Sequence, residues 1–321
     1  MRLLIVIVNY RTASLTIDCL RSLAPEIPTL PPDTQVVVTD NAGGDDSVAR
    51  IASAIRDNGW AAWARLMPLP RNGGFAYGNN QAVRPALASA APPDYVLLLN
   101  PDTVIRPGAV RSLVEFMDAN PKVGIAGSRL EHPDGKVQRS AFRFPGALSE
   151  LEEGLRLSAV SKVLKPFVVA PPPPEQACRV DWVAGASMIV RRAVFEAVGL
   201  MDENYFMYYE EVDFCRRAGR AGWPCWYVPA SRVVHLVGQS SGVTDEKKPK
   251  KRQPAYWFAS RRRYFRTHTG LVRTFLADTF FVVGHALYRA TVPARRKPAN
   301  DPAGLLGDFV RYNFLGPPQK A

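Results

Sequence analysis

Over the first hundred residues, unbroken apolar runs alternate with segments of helical spacing. Leu3 to Val8 and Tyr95 to Leu99 carry no charged residue, and Gln35 to Thr39 repeats the same β-branched signature. Runs of this kind predict strands buried on both faces of a largely parallel sheet. Between the first two, Ala13 to Leu23 places Leu15, Cys19, Leu20 and Leu23 on one side of a helix, and a second helix is predicted from Asp46 to about Asn58. The three strands end in the polar clusters Asn9-Tyr10, Asp40-Asn41 and Asn100-Pro101-Asp102. In an open parallel sheet such ends share one crevice, where functional residues are expected.

Farther along, Glu131 to Gln176 loses this regularity and closes with the stiff run Pro171 to Pro174, which predicts a loop-rich insertion. Order returns at Val180 to Arg191, apolar around Gly185. The acidic segment Met201 to Ala218 then reads as a turn leading into a helix that Gly219 and Gly222 end. An apolar stretch, Trp226 to Val234, precedes His235 and Gly238-Gln239-Ser240. Thr244 to Pro254 is charge-rich and predicted to be mobile, and Tyr256 to Thr269 is aromatic and basic. Leu271 to Val292 is apolar but holds Arg273, Asp278, His285 and Arg289, a poor pattern for a membrane span. It reads either as an interfacial helix with its arginines at the headgroups or as a helix packed on the protein.

A length of 321 residues and 47% apolar composition allow a large α/β domain with an appendage and exclude a disordered chain. Cys19, Cys178, Cys215 and Cys225 are scattered without a CxxC pair, as reduced thiols of a cytoplasmic protein would be. The apolar start is too short for a secretory signal and suits a buried first strand. Of the net charge of +12, almost all is C-terminal: from Ser240 onward 16 Lys or Arg face 5 acids, against 25 and 24 before it. Such a tail meets phosphate on nucleic acid or on anionic lipid. Its aromatics, the Arg261-Arg262-Arg263 cluster and the apolar segment after it favour lipid and argue against nucleic acid.

Candidate chemistry gathers at the strand ends and in the acidic segment. Asp102 either holds Mg²⁺ or Mn²⁺ against a diphosphate or closes an ordinary turn. Asp40-Asn41 can bond a nucleobase edge with Tyr10 stacked on its ring, or simply cap a turn. In RNGGFAYGNN (Arg71 to Asn80), glycines permit close backbone approach to a ligand and Arg71 can neutralise phosphate; a plain glycine turn is the alternative. Glu210, Glu211 and Asp213 open a helix, where the helix dipole alone favours acids. Crowded beside Tyr205, Phe206, Tyr208 and Tyr209, they would also raise one another's proton affinity, as a general base requires. His235 is a candidate metal ligand or phosphate contact, or a histidine that is merely hydrogen-bonded.

The ordered series VNY, TDN, RNGGFAYGNN, LLLNPDT, WVAGASMIVRR, YFMYYEEVDFCRR and VVHLVGQSSG resembles glycosyltransferase family 2 from about Arg2 to Gly242. Within it, the N-P-D and YxExxDxxxR (Tyr208 to Arg217) patterns are similar to those of bacterial rhamnosyltransferases acting on polyprenyl-diphosphate-linked sugars. The resemblance implies a GT-A fold, an α/β architecture with a central, mostly parallel sheet. The catalytic domain would span 1–242, with a donor half to about 130 and an acceptor half from 131. Residues 243–321 would be a basic, helical, membrane-associating extension. Carried over by motif, Val8, Asn9, Tyr10, Asp40, Asn41, Arg71, Asn72, Gly74, Asn79, Asn100 and Asp102 line the donor site, with Asp102 and His235 on the metal. Trp182, Gly185 and Tyr208 fall on the acceptor side.

Glu211 occupies the place of the family's catalytic base, the second acid of a Glu-Asp pair that is Glu210-Glu211 here. Asn100 replaces the first acid of the usual Asp-X-Asp, so that position contributes an amide and no charge. The function implied is inverting transfer of a sugar, L-rhamnose from dTDP-rhamnose, to a lipid-linked cell-envelope glycan. The place implied is the inner face of the cell membrane, on an anionic surface. Galactose, N-acetylhexosamine or mannose transfer is the rival within the fold, and a non-enzymatic nucleotide- or nucleic-acid-binding protein the rival outside it. Homo-oligomerisation is left open.

Overall fold

In a computed structural model of the chain, which describes residues 2–156, 162–236, 251–291 and 301–316, every position of β1 (Leu3–Asn9) is buried. The reason is the sheet on either side and helices over both faces. β1 pairs in parallel with β2 (Gln35–Asp40) and β4 (Tyr95–Leu99), and β2 with β3 (Ala64–Pro68). Two helices follow the first two strands, α1 (Ala13–Leu23) and α2 (Ser47–Asp57). In α1 the buried set is Ala13, Thr16, Cys19, Leu20 and Leu23. Thr16 takes the place expected of Leu15 because its hydroxyl bonds Asn9 Oδ1 at 2.9 Å.

The full sheet runs β3-β2-β1-β4-β10-β6-β11-β5, with β5 (Thr103–Ile105), β6 (Ile125–Glu131), β10 (Ser187–Arg191) and β11 (Cys225–His235). The half from β1 to β4 is wholly parallel. β10 then inserts antiparallel between β4 and β6, while β6 and β11 are parallel again. α3 (Gly74–Leu87) and α4 (Ala109–Ala119) cover the sheet, and α4 packs Val110, Leu113, Val114 and Met117 into the core. RNGGFAYGNN is therefore only partly a loop: the helix begins inside it, at Gly74. β7 (Ala141–Phe142) and β9 (Trp182–Val183) form a separate two-stranded sheet, and β8 (Cys178–Val180) pairs with β11. α6 (Arg192–Val198) and α7 (Glu210–Arg220) complete this first unit, which comprises 1–142, 172–206 and 210–242.

The second unit takes 143–171 and 207–209 together with 243–321, so the segment expected to be a loop-rich insertion contributes a helix to it. That helix, α5 (Ala147–Leu155), crosses α8 (Ala255–Thr291) at a glycine pair. A Cβ on Gly154 would lie 2.8 Å from the Phe281 carbonyl oxygen, and one on Gly284 would lie 3.0 Å from the Leu155 nitrogen. α8 is long and apolar enough, by length and composition, to cross a membrane. It breaks at Gly270, where φ is 77°, and a short α9 (Leu305–Val310) packs against it. Gly238-Gln239-Ser240, most of Thr244 to Pro254 and the expected boundary at 242/243 lie outside the described residues.

Arg261, first of the three clustered arginines, is fully buried. Its guanidinium donates to Glu150 Oε2 at 2.8 Å and to Asp278 Oδ1 at 2.6 Å, and lies 4.5 Å from the ring centres of Phe265 and Phe309. It is therefore unavailable to any surface. Burial pushes the Glu150 carboxyl up to about 7 against the pull of Arg261.

Candidate active site

The ends of β1 and β2 are joined by a side-chain amide. Asn9 Nδ2 donates to Asp40 Oδ1 at 2.6 Å, while Asn9 Oδ1 accepts from the Thr12 and Thr16 hydroxyls. Asn9 is buried, and these bonds make it hold Asp40 in place. Val8 is likewise a packing residue: its Cγ1 occupies the space that a Cβ on Gly78 would enter, at 2.6 Å. Asn41 Nδ2 donates to the Gly74 carbonyl at 2.9 Å, and its Oδ1 is buried without a hydrogen-bond partner among the described residues. Tyr10 is half-buried with the Arg11 guanidinium 5.3 Å from its ring centre, and Arg71 lies 4.5 Å from that of Tyr77.

The start of α3 is built to approach backbone. Asn72 Oδ1 accepts the Gly74 N–H at 3.0 Å, and the Phe75 N–H donates to the Phe206 carbonyl at 3.1 Å. Gly74 has φ 86°, and a Cβ there would lie 1.8 Å from the Phe206 oxygen, so only glycine fits. Asn79 Nδ2 bonds the Phe75 carbonyl at 3.0 Å, leaving Asn79 Oδ1 buried and without a hydrogen-bond partner among the described residues. Asn80 donates to the Met201 carbonyl at 2.8 Å and to Glu203 at 2.9 Å, which ties the glycine-rich helix to the acidic segment.

Past β4, Asp102 Oδ1 stands 3.4 Å from His235 Nε2, and Asn100 Nδ2 lies 3.5 Å from the same nitrogen. β5 pairs with the end of β11, Thr103 opposite His235, which brings Asp102 beside His235 from 133 positions away in sequence. The Leu236 N–H donates to the Asp102 carbonyl at 2.9 Å, and Gln138 Nε2 donates to the His235 carbonyl at 2.7 Å. Gln138 had no sequence signal, because its partner is almost a hundred residues away. Asp102 and His235 form the candidate metal pair. No cluster of three or more His, Cys, Asp or Glu suited to a metal occurs among the described residues. Two protein ligands suit a magnesium-like ion that takes its remaining oxygens from phosphate and water.

The three acids that open α7 have distinct surroundings. Asp213 is buried and accepts Arg217 Nε at 2.8 Å, while Arg217 also caps the carbonyls of Val198 and Leu200. It is thereby a structural anion. Glu210 is buried, its Oε2 lacks a hydrogen-bond partner among the described residues, and burial together with the neighbouring Glu211 charge pushes its carboxyl well above the usual range. Glu211 is half-buried, and burial raises its carboxyl to about 7 against the opposing pull of the Glu211 and Val212 N–H groups. Its Oε2 has no hydrogen-bond partner among the described residues. A Cβ on Gly185 would lie 3.8 Å from Glu211 Cβ and 3.3 Å from Phe75 Cε1, so the missing side chain lets Phe75 and Glu211 pack close to this backbone.

Trp182 stacks on Phe142 with ring centres 4.0 Å apart. Tyr208 and Tyr209 both adopt positive φ, about 70°, and group with the second unit, where they pack on Tyr256 and Tyr264. The structure thus joins Asn9 to Asp40 and Asp102 to His235, and sets Gly185 beside Glu211, while Tyr208 is engaged in the second unit.

Strand ends carrying carboxylate, amide and imidazole groups, with a half-buried glutamate of raised pKa, make up the candidate site. Residues 2–270 match the glycosyltransferase like family 2, and the chain belongs to that family. It is 32% identical over 238 residues to the N-acetylglucosaminyl-diphospho-decaprenol L-rhamnosyltransferase of Mycobacterium tuberculosis (strain ATCC 25618 / H37Rv), covering 69% of this chain and 71% of that one. It is 30% identical over 169 residues to rhamnosyltransferase WbbL of Escherichia coli (strain K12), covering 51% of this chain and 61% of that one. Among solved structures, GalNAc-T7 with UDP, GalNAc and Mn²⁺ superposes with a TM-score of 0.59 at 14% identity, over 97% of this chain and 54% of that one. The fold is GT-A.

Proposed function

We propose that this chain is an inverting glycosyltransferase that moves L-rhamnose from dTDP-rhamnose to a hydroxyl of a polyprenyl-diphosphate-linked cell-envelope glycan. The observation that carries the reading is Glu211: a half-buried carboxylate raised to about 7, with one oxygen lacking a hydrogen-bond partner among the described residues, packed beside Gly185. Glu211 Oε2 takes the proton of the acceptor hydroxyl while that oxygen bonds the anomeric carbon. The bond from that carbon to the nucleoside diphosphate breaks on the opposite face, so the configuration inverts.

Asp102 and His235 would hold Mg²⁺ or Mn²⁺ with the donor phosphates, and the ion supplies charge neutralisation for the departing diphosphate. Asp40 and Asn41 orient the nucleoside, with Tyr10 against its ring and Arg71 toward phosphate. Asn9 holds Asp40 from behind, while Asn72 and Asn79 bond the backbone at the start of α3. The mycobacterial and enterobacterial relatives are named as rhamnosyltransferases, which supports rhamnose, and the first name supports a polyprenyl-diphosphate acceptor. The catalytic domain is taken as 1–242, and the basic C-terminal part meets an anionic membrane at its cytoplasmic face.

The test is nucleoside diphosphate release by the purified chain with Mg²⁺ or Mn²⁺, a panel of nucleotide sugars, and acceptor present or absent. Acceptor-stimulated release from dTDP-rhamnose is the expected result. Release from a UDP- or GDP-sugar alone would replace the sugar and keep the reaction.

A further inference from the structure

Within the second unit, the first half of α8 lines a cavity of about 560 Å³ with Arg262, Arg263 and Arg266, together with Tyr256, Phe258 and Tyr312. The three arginines share one helix face at i, i+1 and i+4, and no carboxylate is among the lining residues. Arg262 donates to the Tyr312 carbonyl at 3.0 Å, and its Nε is buried without a hydrogen-bond partner among the described residues. Guanidinium groups held together at the cost of mutual repulsion, with rings beside them, suit a phosphate.

Beyond Gly270 the outward face of the same helix is apolar. Leu271, Val272, Phe275, Leu276, Val283 and Leu287 are all exposed, Val272 by 75% and Leu287 by 53%. They recur at helical spacing, and Arg273 and Arg289 lie among them. The exposed Phe314 extends the patch, its ring centre 5.8 Å from that of Phe275. The opposite face is packed: Ala277, Asp278, Phe281, Gly284 and His285 are buried. Asp278 is bonded to Arg261, and His285 faces Asp301 at 3.6 Å. A helix with one face in protein and those charges paired inside is not a span; its other face is an interfacial one. A patch this continuous marks a contact surface.

We infer that α8 docks on an anionic bilayer, its apolar face beyond Gly270 entering the acyl boundary and its arginine cavity taking a lipid headgroup phosphate. Nucleic acid would satisfy the cavity and leave the apolar face in water. The inference deepens the membrane part of the reading above and does not depend on which sugar is moved.

The experiment is co-sedimentation of the full chain with vesicles of phosphatidylcholine alone or mixed with phosphatidylglycerol. Binding is expected only to the mixed vesicles. Arg266→Glu removes one cation and adds an anion, which weakens it about twentyfold to thirtyfold. Val272→Ser with Leu287→Ser weakens it by about tenfold or more by removing buried apolar area. These positions are exposed, so the melting temperatures of both variants should match that of the parent, and their turnover of a short soluble acceptor without vesicles should be unchanged. That separates failure of docking from failure of sugar transfer. Unaltered vesicle binding in both variants overturns the inference. So do inorganic phosphate binding with no vesicle binding, and tighter retention on duplex DNA than on vesicles.

Discussion

Glu211 and Gly185 pack side by side: a methyl group on Gly185 would stand 3.8 Å from the Cβ of Glu211. Among the described residues one Glu211 oxygen has no hydrogen-bond partner, whereas Asp213, two residues on, is locked to Arg217.

Glu211→Gln should lower kcat by about 10²- to 10⁴-fold, the usual worth of a general base. Donor affinity measured by calorimetry should stay within about twofold, since the change removes no donor contact. Asp213→Asn should instead lower the melting temperature. Full activity in Glu211→Gln would remove Glu211 from the chemistry.

The pH profile follows from the same group. A base must be deprotonated to act, so kcat should rise with pH through about 7. In stability the sign is opposite. The folded value lies above the unfolded one, so the stabilisation from this group is complete below the ordinary glutamate range and is lost as pH rises through about 7. Glu211→Gln, which stays neutral, should melt higher than the parent at pH 8 and no differently at pH 4. With Glu211 half-exposed, the gain is on the order of 1 kcal/mol.

Asp102→Ala and His235→Ala should each weaken metal-dependent nucleotide binding by about tenfold or more, with little effect on binding in chelator. Titration of nucleoside diphosphate with and without Mn²⁺ measures this. Equal metal dependence in variant and parent would assign the ion to other groups.

Asn9→Ala should act on the fold, because its amide serves Asp40, Thr12 and Thr16 inside the protein. Leaving those buried groups unbonded costs about 1–3 kcal/mol, visible in a denaturant midpoint. A variant with parental stability and lost donor affinity would return Asn9 to the ligand.

Arg261→Met leaves Glu150 and Asp278 facing each other without a cation, and should cost about 3–5 kcal/mol. The loss should shrink when Glu150→Gln is added, since the uncompensated charge goes with it. Additive losses would mean that the three groups act independently.

Several elements could be read directly from residue order. The β-branched runs mark β1, β2 and β4 because burial on both faces leaves no polar alternation. Ala13 to Leu23 marks α1 because one helix face must be apolar. The seven motifs in order carried the family, and the polar strand ends carried the neighbourhood of the site, since a parallel sheet exposes its carboxyl ends together. Local order could not assign roles within that neighbourhood. Asn9 and Asp102 are both polar residues at strand ends, yet one is consumed by internal hydrogen bonds and the other meets His235 across β5 and β11. Glu211 and Asp213 differ because Arg217 lies one helical turn from Asp213 and aims at it, while Gly185 arrives beside Glu211 from a distant segment. The arginine triplet divides likewise, Arg261 into a buried ion network and its neighbours toward a cavity. Residue type and periodicity determined which segments form strands and where chemistry collects; long-range packing alone decided which side chains are spent on the fold and which remain for a ligand.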